Sequence, residues 1–410
     1  MKILFLDAYF EPEQIAFTHL EHDLLSKIVE DGNDVQIVCP TPTRGLSRET
    51  VEKYKHIKQE DLFDGHVHVR RFAAPQEGRN PLIRALRYFW CNVRTYQIGK
   101  HIKDVDAVFA NSTPPTQGWI AGKVAKKKNV PFIYSLQDVF PDSLVTTGLT
   151  TKGSLLWKIG RKVENTTYKA CEKIIVITDS MKNNLLEKDV QEKKIQVISN
   201  WIDTEVIKPV SRESNRLFDE FQIDRTKYIV LYAGNMGEAQ GAEIVLDAAE
   251  QLKDQKGILF VVFGGGSGFE DAEKRAANMS NVYIHPLLPQ NRVSEVYSMG
   301  DVALITCKKG VGNSGMPSKT WSILACNKPI IASFDPDSEL VDLIKKLNAG
   351  VCVTPENAEE LAEAIINESK KKDSYKNIRE RMMKIASKES CTDAYLRLIK
   401  EIDKSIYKRN

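Results

Sequence analysis

At 410 residues the chain exceeds one ordinary hydrophobic core, so two domains of about 200 residues each are expected. Its 42% hydrophobic and 28% charged content is that of a soluble globular protein, and a formal net charge of +3 gives no reason to expect a nucleic-acid partner. No apolar run approaches the ~20 residues of a membrane span. In chain order, Met1 leads directly into a strand pattern, Ile3–Ala8, which leaves no room for a signal peptide. Val35–Cys39, Val67–Phe72, Ala107–Ala110, Phe132–Leu136, Ile174–Thr178 and Ile195–Ser199 follow as strands. Helical patterns such as Thr18–Glu30 and Gly153–Ala170 lie between most of them. The join falls near Asn200-Trp201-Ile202-Asp203, after which residues 205–226 are polar and read as a linker. The second half repeats the alternation with Ile229–Ala233, Leu259–Phe263, Val282–Ile284, Val302–Thr306, Pro329–Ala332 and Val351–Val353. Two helices, Ser374–Ser387 and Thr392–Tyr407, have no strand after them, and the second is expected to cross back to the first domain. The pattern predicts an α/β chain of two Rossmann-like, doubly wound parallel sheets, 1–204 and 227–390, with a C-terminal helix at 391–410. Ligands of such sheets bind beyond the carboxyl ends of the strands, so two facing sheets would put a site in the cleft between them. Seven scattered cysteines form no C-x-x-C pair and have no histidine at metal spacing; they are expected as reduced thiols of a cytosolic protein.

One loop carries the strongest chemical signal. The strand Val302–Thr306 enters Lys308-Lys309-Gly310-Val311-Gly312-Asn313-Ser314-Gly315-Met316-Pro317-Ser318-Lys319-Thr320-Trp321-Ser322, with Pro317 placed for the first turn of a helix. Backbone N–H groups, a helix N-terminus and Lys319 would then share a small volume suited to phosphate. Glycine and proline also punctuate ordinary strand-to-helix turns, so this loop alone leaves both readings open.

Several motifs in fixed order resemble those of the GT-B-fold family 4 glycosyltransferases over essentially the whole chain. They are Tyr9-Phe10-Glu11-Pro12-Glu13, Gln137-Asp138-Val139-Phe140-Pro141-Asp142, Ser199-Asn200-Trp201-Ile202-Asp203-Thr204-Glu205, Tyr232-Ala233-Gly234-Asn235-Met236-Gly237-Glu238-Ala239-Gln240-Gly241, and Met316-Pro317-Ser318-Lys319-Thr320. The fourth and fifth look like the branch that includes the N-acetylfucosamine transferases of O-antigen, capsule and colanic-acid synthesis. The resemblance implies an acceptor-binding first domain and a second domain that binds a nucleotide sugar, with retention of anomeric configuration. It implies a UDP-sugar as donor substrate, no required cofactor or metal, and a polyprenyl-diphosphate-linked saccharide as acceptor. The chain departs from the family in four places. Ser314 and Ser322 stand where many members carry two glutamates, Gln240 replaces a usual basic residue, and Ile15-Ala16 replaces a glycine pair.

Transfer from a nucleotide sugar must stabilise a diphosphate leaving group and an oxocarbenium-like centre. Without an Asp-x-Asp segment in a loop placed for it, backbone amides at Gly234–Gly237 and Gly312–Ser318, with Lys319, can supply the charge. A lysine in a helix's first turn opposes the dipole, which favours an anion beside Lys319 over plain solvation. The predicted donor-binding set is Gly234, Asn235, Gly237, Gln240, Gly315, Ser318, Lys319, Thr320 and Glu339, with Lys308 and Lys309 as further cations. Asn235 also fits a plain turn, and Glu339 a carboxylate favoured at a helix start. The run Gly264-Gly265-Gly266-Ser267-Gly268 reads as structural or base-adjacent. On the acceptor side Asp138, after the strand Phe132–Leu136, can orient or deprotonate a hydroxyl, while Asp142 reads as a loop cap. Glu13 and His19 flank the first helix as further candidates, which makes the predicted catalytic set Asp138, Lys319 and His19.

Residues 79–103 interleave Leu82, Ile83, Leu86, Tyr88, Phe89, Trp90, Val93 and Tyr96 with Arg84, Arg87, Arg94 and Lys100 and contain no acidic residue. Such a helix suits an anionic membrane surface, and the segment around Trp157, Lys158, Arg161 and Lys162 extends it. The alternative is a helix packed on the first sheet with its arginines outside. The resulting expectation is a cytoplasmic transferase held peripherally on the inner face of the plasma membrane. The rivals are a nucleotide-sugar epimerase of similar fold and a catalytically silent nucleotide-sugar binder.

Overall fold

The computed structural model describes residues 1–13, 17–76, 81–146, 150–312, 316–371 and 375–407. Contacts divide the chain into two units, Met1–Asn200 with Cys391–Asn410, and Trp201–Ser390.

The first unit is built on an eight-stranded sheet: β1 (Lys2–Leu6), β2 (Asp34–Pro40), β3 (Gln59–Leu62), β4 (Val67–Phe72), β5 (Ala107–Asn111), β6 (Phe132–Leu136), β7 (Lys173–Val176) and β8 (Ile195–Val197). Its order is β3-β4-β2-β1-β5-β6-β7-β8, parallel except for the antiparallel β3–β4 pair at the edge. The central strands are buried on both faces because helices cover both sides, which is why they read as continuous apolar runs. The edge strand β3 is Gln-Glu-Asp-Leu, half exposed, and has no apolar signature to find in a sequence. The helix Lys388–Tyr407 packs on this unit through buried Cys391, Tyr395, Leu398 and Ile402. Ion pairs Lys27–Asp393 (2.7 Å) and Lys400–Asp31 (2.6 Å) flank it.

The second unit carries six parallel strands: β9 (Tyr228–Asn235), β10 (Ile258–Gly265), β11 (Val282–Pro286), β12 (Val302–Thr306), β13 (Ile330–Ser333) and β14 (Gly350–Val353), in the order β11-β10-β9-β12-β13-β14. Alternate residues of β9 feed two cores, Ile229, Leu231 and Ala233 on one face, Val230 and Tyr232 on the other. Residues 205–226, read from sequence as a linker, contribute Leu217, Phe218 and Ile223 to the first of these cores. The polar character of that stretch hid three anchors, two of them on the short helix Leu217–Glu220.

Each sheet has a point where strand order reverses, between β1 and β5 and between β9 and β12. In the first unit that point is filled by protein. Asn111, ending β5, donates from Nδ2 to Asp7 Oδ1 (3.2 Å) and Glu21 Oε1 (3.4 Å), and all three residues are buried. Burial lifts the Asp7 carboxyl to about 7, against the lowering pull of its bonds with Glu21 and Asn111. Burial and then the charge of Asp7 lift Glu21 well above the usual carboxylate range. The folded pair therefore holds protons that the unfolded chain releases above about pH 4. Its contribution to stability is complete below that pH and is lost as pH rises through about 7. Glu21→Gln removes one ionisation. Its melting temperature relative to the native chain should rise by about 3 °C or more between pH 5 and pH 8 in thermal scans. Parallel melting profiles would show that the pair ionises without cost.

Candidate functional site

The reversal point of the second sheet is organised around a lysine. Lys319 opens the helix Lys319–Ala325 that follows β12, and its half-buried side chain runs towards β9. Its Nζ lies 4.3 Å from the centre of the Tyr232 ring. Gly234, with φ at +152°, leaves the space for it, since a Cβ there would come within 2.6 Å of that Nζ. Among the described residues no carboxylate or carbonyl pairs with the ammonium. Burial pushes its pKa down from 10.5 to about 8, a desolvation cost of roughly 3 kcal/mol. A cation–π contact supplies about 0.5–2 kcal/mol, so the ring offsets only part of this. A bound anion would supply the rest.

The glycine loop before Lys319 differs from its sequence reading. The amides of Gly310 and Gly312 donate to Asp335 Oδ1 (3.0 Å) and Oδ2 (2.7 Å), so these donors brace the loop internally. The Lys309 amide is taken by Glu356 (3.0 Å), and Lys308 Nζ is paired with Glu243 (2.6 Å) and Glu356 (3.3 Å). Pro317 precedes the helix instead of entering it, with its carbonyl accepting the Thr320 amide at 3.0 Å. The helix is only seven residues long, so its dipole contributes less than expected and Lys319 more. Ser318 is exposed at the cap, while Thr320 is buried with a hydroxyl that has no partner. A second such hydroxyl belongs to Ser338, which precedes the helix Glu339–Lys346 after the neighbouring strand β13. Glu339 is half-buried at that helix's start. Ser314 and Gly315 lie outside the described residues, as do Ile15 and Ala16.

Asn235 and Gln240 are joined side chain to side chain at 3.2 Å, with Gly237 beneath them, and the Asn235 carbonyl accepts the Tyr232 hydroxyl at 2.6 Å. The Met236 amide, in the segment expected to cradle phosphate, donates instead to the Gly265 carbonyl (2.6 Å). The run 264–268 is a packing surface for this turn: a Cβ at Gly266 would lie 2.0 Å from Asn235 Oδ1, and one at Gly264 2.4 Å from Met236 Sδ. Thus Gly234, Asn235, Gly237, Gln240 and Lys319 come together. Tyr232 joins them without having been singled out in the sequence, and no motif marks a tyrosine inside a strand.

Asp138, His19 and Glu13 belong to the first unit. Asp138 is exposed just past β6, and its carboxylate has no partner among the described residues. Asp142 is structural, accepting from Trp157 Nε1 (3.4 Å) and Asn184 Nδ2 (3.1 Å) and pairing with Lys188 (2.7 Å). His19 is exposed on the helix Thr18–Glu30. Glu13 is buried and accepts the amides of Thr43 and Arg44, each at 2.8 Å, which makes it a brace for that loop. Arg87, expected to face a membrane, is 1% exposed; it donates to the Pro75 carbonyl (2.9 Å) and to Thr43 Oγ1 (3.1 Å).

Known proteins match this architecture. The description "Glycosyltransferase Family 4" fits residues 21–206, and "Glycosyl transferases group 1" fits residues 213–386. The fold is that of the GT-B glycosyltransferases. The chain is 28% identical over 248 residues to the putative colanic acid biosynthesis glycosyl transferase WcaI of Escherichia coli, covering 59% of this chain and 61% of that protein. It is 28% identical over 236 residues to the probable glycosyltransferase WbjE of Pseudomonas aeruginosa, covering 57% and 58%. The match thus spans about three fifths of the length of either relative. An uncharacterized glycosyltransferase of Methanocaldococcus jannaschii aligns over 89% of this chain and 88% of its own at 23% identity. Sucrose-phosphate synthase from Thermosynechococcus elongatus superposes with a TM-score of 0.69 at 14% identity, covering 98% of this chain and 99% of its own. Anabaena HepE in complex with UDP superposes with a TM-score of 0.68 at 15% identity, covering 98% and 100%. At these identities the likeness is one of fold.

The bracing role of Asp335 is testable. Asp335→Ala leaves two loop amides without their acceptor and should lower the melting temperature by roughly 2–8 °C, whereas Lys308→Ala, at a partly exposed ion pair, should move it by about 1 °C or less. Equal effects in differential scanning calorimetry would contradict this division of labour.

Proposed function

We propose that this glycosyltransferase moves an N-acetylated amino sugar, with N-acetylfucosamine as the leading candidate, from a UDP-sugar to a polyprenyl-diphosphate-linked acceptor in bacterial surface-polysaccharide synthesis. The observation that carries the reading is the half-buried Lys319 ammonium over Tyr232, without an anion among the described residues. A nucleotide diphosphate beside it would regain the desolvation cost and have its charge stabilised as the sugar departs. Gly234, Asn235, Gly237 and Gln240 form the adjoining turn, and the unpartnered hydroxyls of Thr320 and Ser338 suit donor oxygens. The presence of UDP in the HepE structure and the colanic-acid naming of WcaI agree with the donor class and with the type of product. Asp138 is proposed to orient or deprotonate the acceptor hydroxyl, with His19 as a further candidate and with retention at the anomeric carbon. Metal and cofactor are not required in this scheme.

Membrane contact is proposed from two helices of the first unit. Pro81–Gly99 exposes Leu86 (69%), Phe89 (68%), Ile83 and Trp90, and Leu155–Ala170 exposes Leu155 (75%), Leu156 and Ile159. The helix Gln117–Lys128 packs against both, so they share one side of the sheet. Exposed Arg84, Lys158 and Lys162 accompany the apolar residues, a composition suited to an anionic bilayer interface. Buried Arg87 takes no part. Among the described residues no helix is long and apolar enough to cross a membrane.

Calorimetry with UDP tests the donor site. Because the free Lys319 ammonium is lost above about pH 8 while a diphosphate favours it, the dissociation constant should rise nearly tenfold per pH unit above that point. Lys319→Met should weaken binding about 100-fold near pH 7 and abolish that pH dependence. Unchanged affinity in the variant would remove the central support. A donor screen against a short polyprenyl-diphosphate sugar, read by mass spectrometry, separates transfer from the rivals: an epimerised UDP-sugar as sole product, or binding without turnover, counts against transfer. For the membrane, Arg84→Glu/Lys158→Glu/Lys162→Glu should reduce co-sedimentation with phosphatidylglycerol vesicles at least tenfold. Undiminished sedimentation would refute the surface.

A further inference from the structure

Gln137 joins two sequence segments that stand 63 residues apart, the run Gln137–Asp142 and the run that begins Ser199-Asn200. Its side-chain amide is held at both ends. Oε1 accepts from Asn200 Nδ2 at 3.0 Å, and Nε2 donates to Ser135 Oγ at 3.0 Å. Its backbone N–H donates to Ser112 Oγ at 2.9 Å. Ser135 is fully buried on β6, and its hydroxyl lies 3.2 Å from that of Tyr395, itself buried on the C-terminal helix. Three elements therefore hold Gln137 directly at the carboxyl end of a central strand, β6, the residue after β5 and the segment after β8, and the helix Lys388–Tyr407 adds support through Ser135. Ending a strand takes no such network. Buried polar networks of this kind, with each bond supported by the next, make a geometry unique.

The residue that follows is Asp138. Its carboxylate has no partner among the described residues, so its direction is set by the backbone that carries it. That backbone is fixed one residue earlier, by Gln137. We propose that Gln137 is a positioning residue that aims the Asp138 carboxylate at the acceptor hydroxyl, and that Asn200 supports it through the shared amide bond. The inference rests on the acceptor-side role of Asp138 proposed above. Displacing a reacting group by about 1 Å costs on the order of 100-fold in rate, so a positioning residue has a large effect without touching substrate. A purely structural glutamine would instead lower stability and leave the acceptor step intact.

The test uses the full chain with Gln137→Ala, Asn200→Ala, Asp138→Ala and the Gln137→Ala/Asp138→Ala double variant. Hydrogen exchange gives a readout that needs no substrate. Gln137→Ala and Asn200→Ala should each speed exchange across residues 137–142 about tenfold while the Trp201–Ser390 unit keeps its native rates. Unaltered exchange in that loop would overturn the proposal. In transfer assays with a UDP-sugar and a short polyprenyl-diphosphate sugar, Gln137→Ala should lower kcat about 10- to 100-fold and Asn200→Ala about 3- to 10-fold. The calorimetric Kd for UDP should stay within about twofold. The double variant should be no slower than Asp138→Ala alone, the non-additivity expected when one residue acts through the other. Effects that multiply, or a normal kcat in Gln137→Ala beside an impaired Asp138→Ala, would overturn the role of Gln137 alone. Full activity in Asp138→Ala would overturn the acceptor-side reading of Asp138 and this inference with it.

Discussion

Much of the second unit's site depends on one constraint, a half-buried ammonium group with no carboxylate partner among the described residues that lies over the face of an aromatic ring. Burial without a carboxylate costs Lys319 roughly 3 kcal/mol, more than the ring of Tyr232 offsets. Charges kept at such a cost cluster at functional sites. The surrounding turn leaves room for the side chain. Gly234 has no Cβ to block it, and the glycines at 264 and 266 let the turn after β9 pack closely against the end of β10.

The other charges nearby are arranged differently. Lys308 is neutralised by Glu243 and Glu356, and Asp335 accepts hydrogen bonds from two backbone amides of the loop. A glycine loop that looked like a row of donors for a ligand thus uses two of them to hold its own shape. Lys319, by contrast, has no carboxylate partner among the described residues. The reversal point of the first sheet contrasts with this. There Asp7, Glu21 and Asn111 fill the space themselves, while Asp138 lies exposed on the loop after β6.

The centres of the sheets were legible in the sequence because parallel strands covered on both faces read as continuous apolar runs, as Ala107–Asn111 and Val302–Thr306 do. The strand β3 was not, because an antiparallel edge strand needs only its backbone bonds to β4 and tolerates Gln-Glu-Asp. Lys319 was legible from its place in a glycine- and proline-marked loop. Its partner Tyr232 was not, since nothing local separates a tyrosine whose ring face meets a cation from one packed in a core. Asp335 was missed because its partners are distant in sequence: a carboxylate after β13 meets amides after β12. Arg87 misled for the opposite reason. A helix that alternates aromatic and basic residues reads as wholly exposed, yet one face of it is bonded to Pro75 and Thr43. The order of motifs identified the family, and the sugar specificity has no comparably local signal.

The central claim is that Lys319 is a desolvated cation awaiting a diphosphate. It is tested most directly by following the Lys319 Nζ resonance in a pH titration by NMR, with the signal assigned by its loss in Lys319→Met. The account predicts a midpoint near 8 in the free protein and one above about 10 when UDP is saturating. A midpoint near the ordinary lysine value in both states would contradict it.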